Sequence, residues 1–213
     1  MNNKKAVVLL SGGLDSAIAA AFMIRSQYDL WGAVFVDRGQ SNFAKESAAA
    51  RSIARYFTIP LYEARFSVPD LKKIFSEEDS VKFGIPARNL ILGSLALPYL
   101  RALECSMLIL GNITEDVYPD CSLGFRKKFS EMATQTLDKS VEVVAPLADW
   151  NNWDKADEII FAIENKLFPL FSMSWTRWKG GEIHCGKCQA CESRREGFAK
   201  AGVQDPVRYE VHV

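Results

Sequence analysis

Short apolar runs of β character alternate along the chain with longer, often alanine-rich helical stretches. The first run, Ala6 to Leu10, stops at Ser11-Gly12-Gly13, and a helix is expected from Leu14 to Arg25. Trp31 to Val36 reads as a second strand, Lys45 to Phe57 as a helix closed by the break before Pro60, and Leu61 to Phe66 as a third strand. The charged stretch from Lys72 to Asp79 reads as a surface loop with a short helix. Asn89 to Leu103 is helical but carries Pro98, which predicts a kink or break because proline lacks the amide proton and crowds the preceding turn. Met107 to Leu110 is a fourth strand ending at Gly111-Asn112, Gly124 to Leu137 a helix, Val141 to Ala145 a fifth strand, and Asp154 to Lys166 the last long helix.

The strand runs are continuously apolar, as in strands buried on both faces. Strands joined by helix-length crossovers predict an α/β fold with a doubly wound, mostly parallel five-stranded sheet. Beyond Pro169 the pattern dissolves into Trp, Gly and Cys, and that tail is too small to hold a core without a staple.

Composition narrows this only a little. The chain has 213 residues, 48% hydrophobic and 24% charged, as in an ordinary globular protein. Formal net charge is zero, so no global field favours nucleic acid or membrane, though Arg194, Arg195 and Lys200 suggest a local basic patch. No apolar run approaches the roughly 20 residues of a membrane helix. Met1 to Lys5 lacks a secretory apolar segment, and the protein is read as cytoplasmic. Of five cysteines, Cys185, Cys188 and Cys191 cluster in a pattern that binds metal more often than it forms disulfides in a reducing compartment. Cys105 reads as a small core residue, while Cys121 sits in a turn-like stretch open to a functional role.

The strongest chemical signal is strand, then Ser11-Gly12-Gly13-Leu14-Asp15-Ser16, then helix. A helix N-terminus offers unsatisfied amides and a positive dipole end to an anion. Two glycines let the backbone approach phosphate oxygens, and Ser11 and Ser16 add hydroxyl donors. Asp15 is odd in an anion cradle and makes sense as a partner of magnesium. No Lys follows the glycines as a Walker loop requires, and G-x-G-x-x-G is absent here. The alternative is a plain turn joining strand to helix.

This motif resembles that of the PP-loop ATP pyrophosphatases, which include GMP synthetase, asparagine synthetase and several tRNA-modifying enzymes. Further segments narrow the resemblance: Asp37 and Gly39-Gln40, Pro86-Ala87-Arg88-Asn89, Gly111-Asn112, Tyr118-Pro119-Asp120-Cys121, Gly180-Gly181-Glu182, and Cys185 to Cys191, in that order. Together, from Ala6 to about Pro206, they look like the 7-cyano-7-deazaguanine synthase (QueC) family. The resemblance implies an adenine-nucleotide alpha hydrolase-like domain over 1–168 and a zinc-binding segment packed on it over 169–213. It implies ATP and Mg2+ at Leu10, Ser11, Gly12, Gly13, Leu14, Asp15, Ser16 and Ala17. It implies 7-carboxy-7-deazaguanine as substrate, adenylated and passed to ammonia, first as an amide and then as the nitrile. Asp15, Arg88 and Lys155 are the expected catalytic residues. Gln40, Arg88, Asn89, Gly111, Asn112, Asp116, Tyr118, Asp120 and Cys121 are the expected substrate residues. Alternatives stand beside three of them: Arg88 as a surface arginine, Asp116 as a loop or capping carboxylate, and Lys155 as a solvated lysine on a face made acidic by Asp154, Asp157 and Glu158. A homodimer is expected.

C-x2-C-x2-C supplies three thiolates, and a closed zinc site needs four ligands. In the family resembled, the fourth is an upstream cysteine, where this chain has Trp175-Thr176-Arg177. Of two histidines, His212 is near the end, so Zn2+ on His184, Cys185, Cys188 and Cys191 is expected. An iron–sulfur cluster or three unliganded cysteines are the alternatives.

Other departures gather around the substrate: Arg38 for a tyrosine, Ser41-Asn42 for a basic pair, Ser122 for an arginine, a shortened loop before Tyr118, and an insertion at Trp150 to Trp153. They open a second reading, in which the acyl group goes to an amine of a partner protein, as in divergent QueC-like proteins of bacterial antiviral systems. A tRNA-thiolating enzyme, with Cys121 as the sulfur carrier, and a non-catalytic nucleotide-binding subunit are further readings.

Overall fold

The computed structural model describes residues 4–66 and 87–210, so the stretch from Lys72 to Asp79, Pro86 and His212 lie outside the described residues. Five strands, β1 (Lys5–Leu9), β2 (Asp29–Asp37), β3 (Leu61–Arg65), β4 (Met107–Ile109) and β5 (Glu142–Val144), form one sheet in the order β3-β2-β1-β4-β5. Every pairing is parallel, with Val8 opposite Ala33 on one side and Ile109 on the other. The chain runs outward from β1 through β2 to β3, then returns to place β4 on β1's other side. The strand order therefore reverses between β1 and β4, where the loops leaving their carboxyl ends part and open a crevice.

The central strands are buried on both faces. Ala6, Val8, Ala33 and Phe35 face helices α1 (Leu14–Arg25), α2 (Phe43–Tyr56) and α6 (Lys155–Glu164) in one apolar cluster. Val7, Val34, Val36 and Leu108 face α3 (Arg88–Ala102) and α4 (Leu123–Leu137) in the other. Each fully buried large aliphatic or aromatic side chain contributes about 1.5–3 kcal/mol. α3 and α4 approach closely because residue 93 is glycine: a Cβ there would lie 2.3 Å from the Phe129 ring. α3 continues through Pro98 as one helix, so the expected break does not occur. Ala96, Leu97 and Leu100 are buried around the proline and hold the helix across the missing hydrogen bond.

The tail is more ordered than its composition suggests. After a one-turn helix α5 (Pro146–Asp149) and α6 come α7 (Pro169–Met173) and the twelve-residue α8 (Gln189–Lys200). Phe171 and Phe198 join the same core cluster as α1, edge to face at 4.9 Å between centroids. Of the three residues expected in a local basic patch, Arg194 does not reach the surface, while Arg195 is half-buried and Lys200 exposed. Arg194 is 1% exposed, paired with Asp205, and donates to Ser174 Oγ, Thr176 Oγ1 and the Phe171 carbonyl. Its guanidinium ties four segments of the tail into one body.

Candidate active site and metal centre

The crevice is floored by the loop after β1. Gly12 has φ +84°, and a Cβ there would meet the Glu46 carbonyl oxygen at 2.4 Å, so glycine alone fits between the loop and α2. Gly13 caps α1, its amide donates to Ser11 Oγ at 3.2 Å, and Ser16 Oγ donates to the Gly13 carbonyl at 3.1 Å. Ser11 and Ser16 hydroxyls lie 3.2 Å apart. Leu10, just past β1, and the helix residues Leu14 and Ala17 are buried and fix the loop from below. The Gly12 carbonyl accepts the Trp175 amide at 2.8 Å, so the tail touches this loop directly.

Gly111, two residues past the end of β4, sits against the start of α1; a Cβ would be 2.6 Å from Ser16 N and Cα. From there the chain turns through Asn112 to Asp116. Asp116 Oδ2 accepts from Asn112 Nδ2 and the Ile113 amide, each at 3.1 Å. Asn112 Oδ1 is buried and has no partner among the described residues. Burial, and then the Asp15 charge, push the Asp116 carboxyl above its ordinary value, so the two carboxylates share one field. Trp153, in the insertion, supports this loop: its carbonyl accepts from the Thr114 amide and hydroxyl at 2.9 Å, and its ring packs on Phe22.

Lys155 closes the crevice. Its acidic neighbours suggested a solvated face, but Lys155 is 7% exposed and Glu158 is 0% exposed. Lys155 Nζ donates to Asp15 Oδ1 and lies 3.0 Å from Glu158 Oε1. The solvated alternative fails because α8 covers this face of α6, a tertiary contact that local charge does not reveal. Burial opposes the Asp15 charge, yet the Lys155 ammonium outweighs it and holds the carboxyl below its ordinary value. Burial, then Asp15, raises Glu158 well above the usual range. Asp154 caps α6, accepting from the Ala156 and Asp157 amides, and so sets where the helix and its lysine begin.

The other expected substrate residues form a wall. Asn89, at the start of α3, donates through Nδ2 to Cys121 Sγ at 3.1 Å and to the Asp120 carbonyl at 3.1 Å. Asn112 Nδ2 reaches the same sulfur at 3.3 Å. Asp120 Oδ2 accepts the Asn89 amide at 2.7 Å, which makes it a cap for α3. Arg88 lies over the Tyr118 ring at 5.9 Å. Burial pushes the Cys121 thiol up to about 11. Gln40 stands apart from this wall, engaged with the Arg38 amide and Glu46. Sequence reasoning did not place Glu158 or Gly197 against Lys155, as the structure does; the glycine in mid-helix was the one available signal for the latter.

In the tail, the sulfurs of Cys185, Cys188 and Cys191 lie within 4.8 Å of one another, and Cys185 and Cys191 are 3.8 Å apart. Zn–S bonds of about 2.3 Å in a tetrahedron put sulfurs about 3.8 Å apart, so the donor set fits three corners of such a site. His184 is not in the converging group among the described residues. Its Nε2 accepts the Thr176 amide at 3.3 Å, and its ring lies tilted by 38° against Trp175, centroids 4.6 Å apart. Burial, then the Arg194 charge, lowers the imidazole to about 4, so it is neutral. Arg177, where the family resembled has its upstream cysteine, pairs with Glu210 and donates to the Ile183 carbonyl.

A parallel sheet with a glycine-serine phosphate loop at its switch point, facing carboxylates on the loop after β4, is the arrangement of PP-loop, ATP-dependent ligases. The chain belongs to the QueC family: the family model for "Queuosine biosynthesis protein QueC" matches residues 5–202. It is 32% identical to 7-cyano-7-deazaguanine synthase 2 of Desulfitobacterium hafniense (strain Y51), over 97% of this chain and 93% of that one. It is 31% identical to 7-cyano-7-deazaguanine synthase of Caldicellulosiruptor saccharolyticus, over 98% and 97%. Among solved structures it is similar to U34-tRNA thiolase NcsA from Methanococcus maripaludis with its 4Fe-4S cluster, at 16% identity and a TM-score of 0.49, covering all of this chain and 76% of that one. No helix among the described residues is long and apolar enough to cross a membrane.

Proposed function

We propose that the chain adenylates 7-carboxy-7-deazaguanine with ATP and transfers the acyl group to a nitrogen nucleophile. The observation that carries this reading is the meeting of Asp15, Lys155 and the Gly111–Asp116 turn at the mouth of the phosphate loop. A substrate carboxylate oxygen attacks the α-phosphorus, the bond to the β-phosphate oxygen breaks, and pyrophosphate leaves into the amides and hydroxyls of Ser11 to Ser16. The nitrogen lone pair then attacks the acyl carbon, AMP departs with the C–O electrons, and the nitrogen loses a proton. Lys155 offsets charge on the departing phosphate. Asn112 Oδ1, buried without a partner among the described residues, accepts a ring N–H of the deazaguanine. Asp15 and Asp116 are the oxygen donors that would hold magnesium, which supplies charge neutralisation to the phosphates when bound. The three thiols would hold a structural zinc, with His184, whose ring now accepts the Thr176 amide, as the fourth residue that could join them.

Incubating the protein with ATP, the carboxylate and ammonium, and following pyrophosphate and product mass, tests this. Asp15→Asn is expected to slow pyrophosphate release about a hundredfold or more; release at the wild-type rate would sink the reading.

A second reading keeps the adenylate and gives the acyl group to an amine of a partner protein, as in an antiviral conjugation system. Ser122, standing where the family resembled has an arginine, supports it: the serine only caps α4 and bonds the Pro119 carbonyl, leaving the rim without that charge. A mass increase on a co-expressed partner protein, with no nitrile formed from ammonium, would favour this acceptor.

A further inference from the structure

Two carboxyl groups from different elements meet one ammonium. Asp15 comes from the phosphate loop and Glu158 from the next turn of the helix that carries Lys155. Glu158 is wholly buried, with Oε1 3.0 Å from Nζ. A buried acid is costly unless a partner meets it; neither Glu158 oxygen has a hydrogen-bond partner among the described residues, so the ammonium beside Oε1 is the group that offsets its burial. The stem of the lysine is held as closely as its head. At Gly197 of α8 an added Cβ would stand 2.2 Å from Lys155 Cγ, 3.0 Å from its Cβ and 3.1 Å from Ile159 Cδ1. The tail helix therefore lies directly on the lysine stem, which only a residue without a side chain allows.

The geometry points to Glu158 and Gly197 as positioning residues for Lys155: Glu158 anchors the ammonium from its buried side, and Gly197 admits the helix that fixes the stem. The inference rests on the reading above, in which Lys155 serves the departing phosphate. An ammonium has three donors. Asp15 accepts one, Glu158 Oε1 stands at ion-pair distance on the inner side without accepting a hydrogen bond, and a donor is left for phosphate. With Glu158 as the inner anchor, Asp15 can pass to a cation without the lysine being lost from the crevice. Lysine gives up much rotamer freedom when held, and holding it beforehand leaves less to lose in the reaction.

A double-mutant cycle in single-turnover pyrophosphate release tests this. Glu158→Met and Gly197→Ala are each expected to lower the rate about 10- to 100-fold with little change in apparent ATP affinity. Glu158→Gln, which keeps an acceptor oxygen, retains more activity than Glu158→Met. In a Lys155→Met background both changes lose their effect, while the exposed Glu164→Gln is silent in either background. Equal losses with and without Lys155, or no loss from Glu158→Met in the wild-type background, would overturn the inference. Wild-type rates in Lys155→Met alone would instead sink the role given to the lysine itself.

Discussion

Cys121 and Cys105 illustrate how one residue type takes different parts in this chain. Cys121 Sγ accepts two side-chain amides, from Asn89 and Asn112, and so ties the start of α3 to the loop after β4. Cys105 packs in the core beneath α3. Burial raises both thiols to about 11 from an ordinary value of 9.0. Below that pH both are neutral thiols, and thiols are poor nucleophiles. Both are therefore expected to resist iodoacetamide at pH 8 in the folded protein, and to react only as the pH nears 11 or the chain is denatured; mass spectrometry of the alkylated peptides reads this. Rapid native modification of Cys121 at pH 8 would bring back the sulfur-carrier reading, since a persulfide needs an accessible thiolate. At this scale the sequence is legible where chemistry is local, as in Ser11 to Ser16. It misleads where burial is tertiary: Glu158 looks like surface among Asp154 and Asp157, and Arg194 looks like a patch beside Arg195.

The elements carrying the crevice are held together by close backbone approaches at glycines. Strand runs and the helix from Leu14 to Arg25 follow directly from apolar pattern, because strands buried on both faces and an alanine-rich helix leave clear signatures. The contact between the loop after β4 and the start of α1 leaves almost none. Gly111 reads as an ordinary strand end, yet it lets Ser16 backbone come within reach of the turn that carries Asn112 and Asp116. Gly111→Ala is expected to push these two loops apart. Since the obstructing atoms are backbone, they yield less readily than a flexible side chain. The expected result is a protein destabilised by about 1–3 kcal/mol in urea unfolding, with pyrophosphate release reduced about tenfold or more. Gly93→Ala separates the two effects. The three atoms nearest its Cβ all belong to the Phe129 ring between α3 and α4, so a similar stability loss should leave the phosphate chemistry much less changed.

At the scale of the whole molecule, the tail is joined to the α/β layer rather than appended to it. Leu170, Phe171 and Phe198 lie in the apolar cluster that contains α1, Trp175 donates to the Gly12 carbonyl, and α8 covers Lys155. The spacing Cys185, Cys188, Cys191 suggests a metal centre, but nothing in that spacing tells which surface such a segment covers. A metal there would order a segment whose packing completes the main core, because ligand deprotonation and binding are linked to folding of the site. Stripping the metal with a chelator is therefore expected to lower the single melting transition of the protein, by on the order of 10 °C, and not to melt the tail by itself. Calorimetry with zinc added back tests this, and the phosphate assay run in parallel should fall with the same chelator dependence because α8 sets the Lys155 stem. Two separate transitions, with the upper one unmoved, would mean that the tail folds apart from the sheet. An unmoved single transition would mean that the Arg194–Asp205 pair and the phenylalanine contacts suffice, and that the three thiols stand together without a metal to hold them.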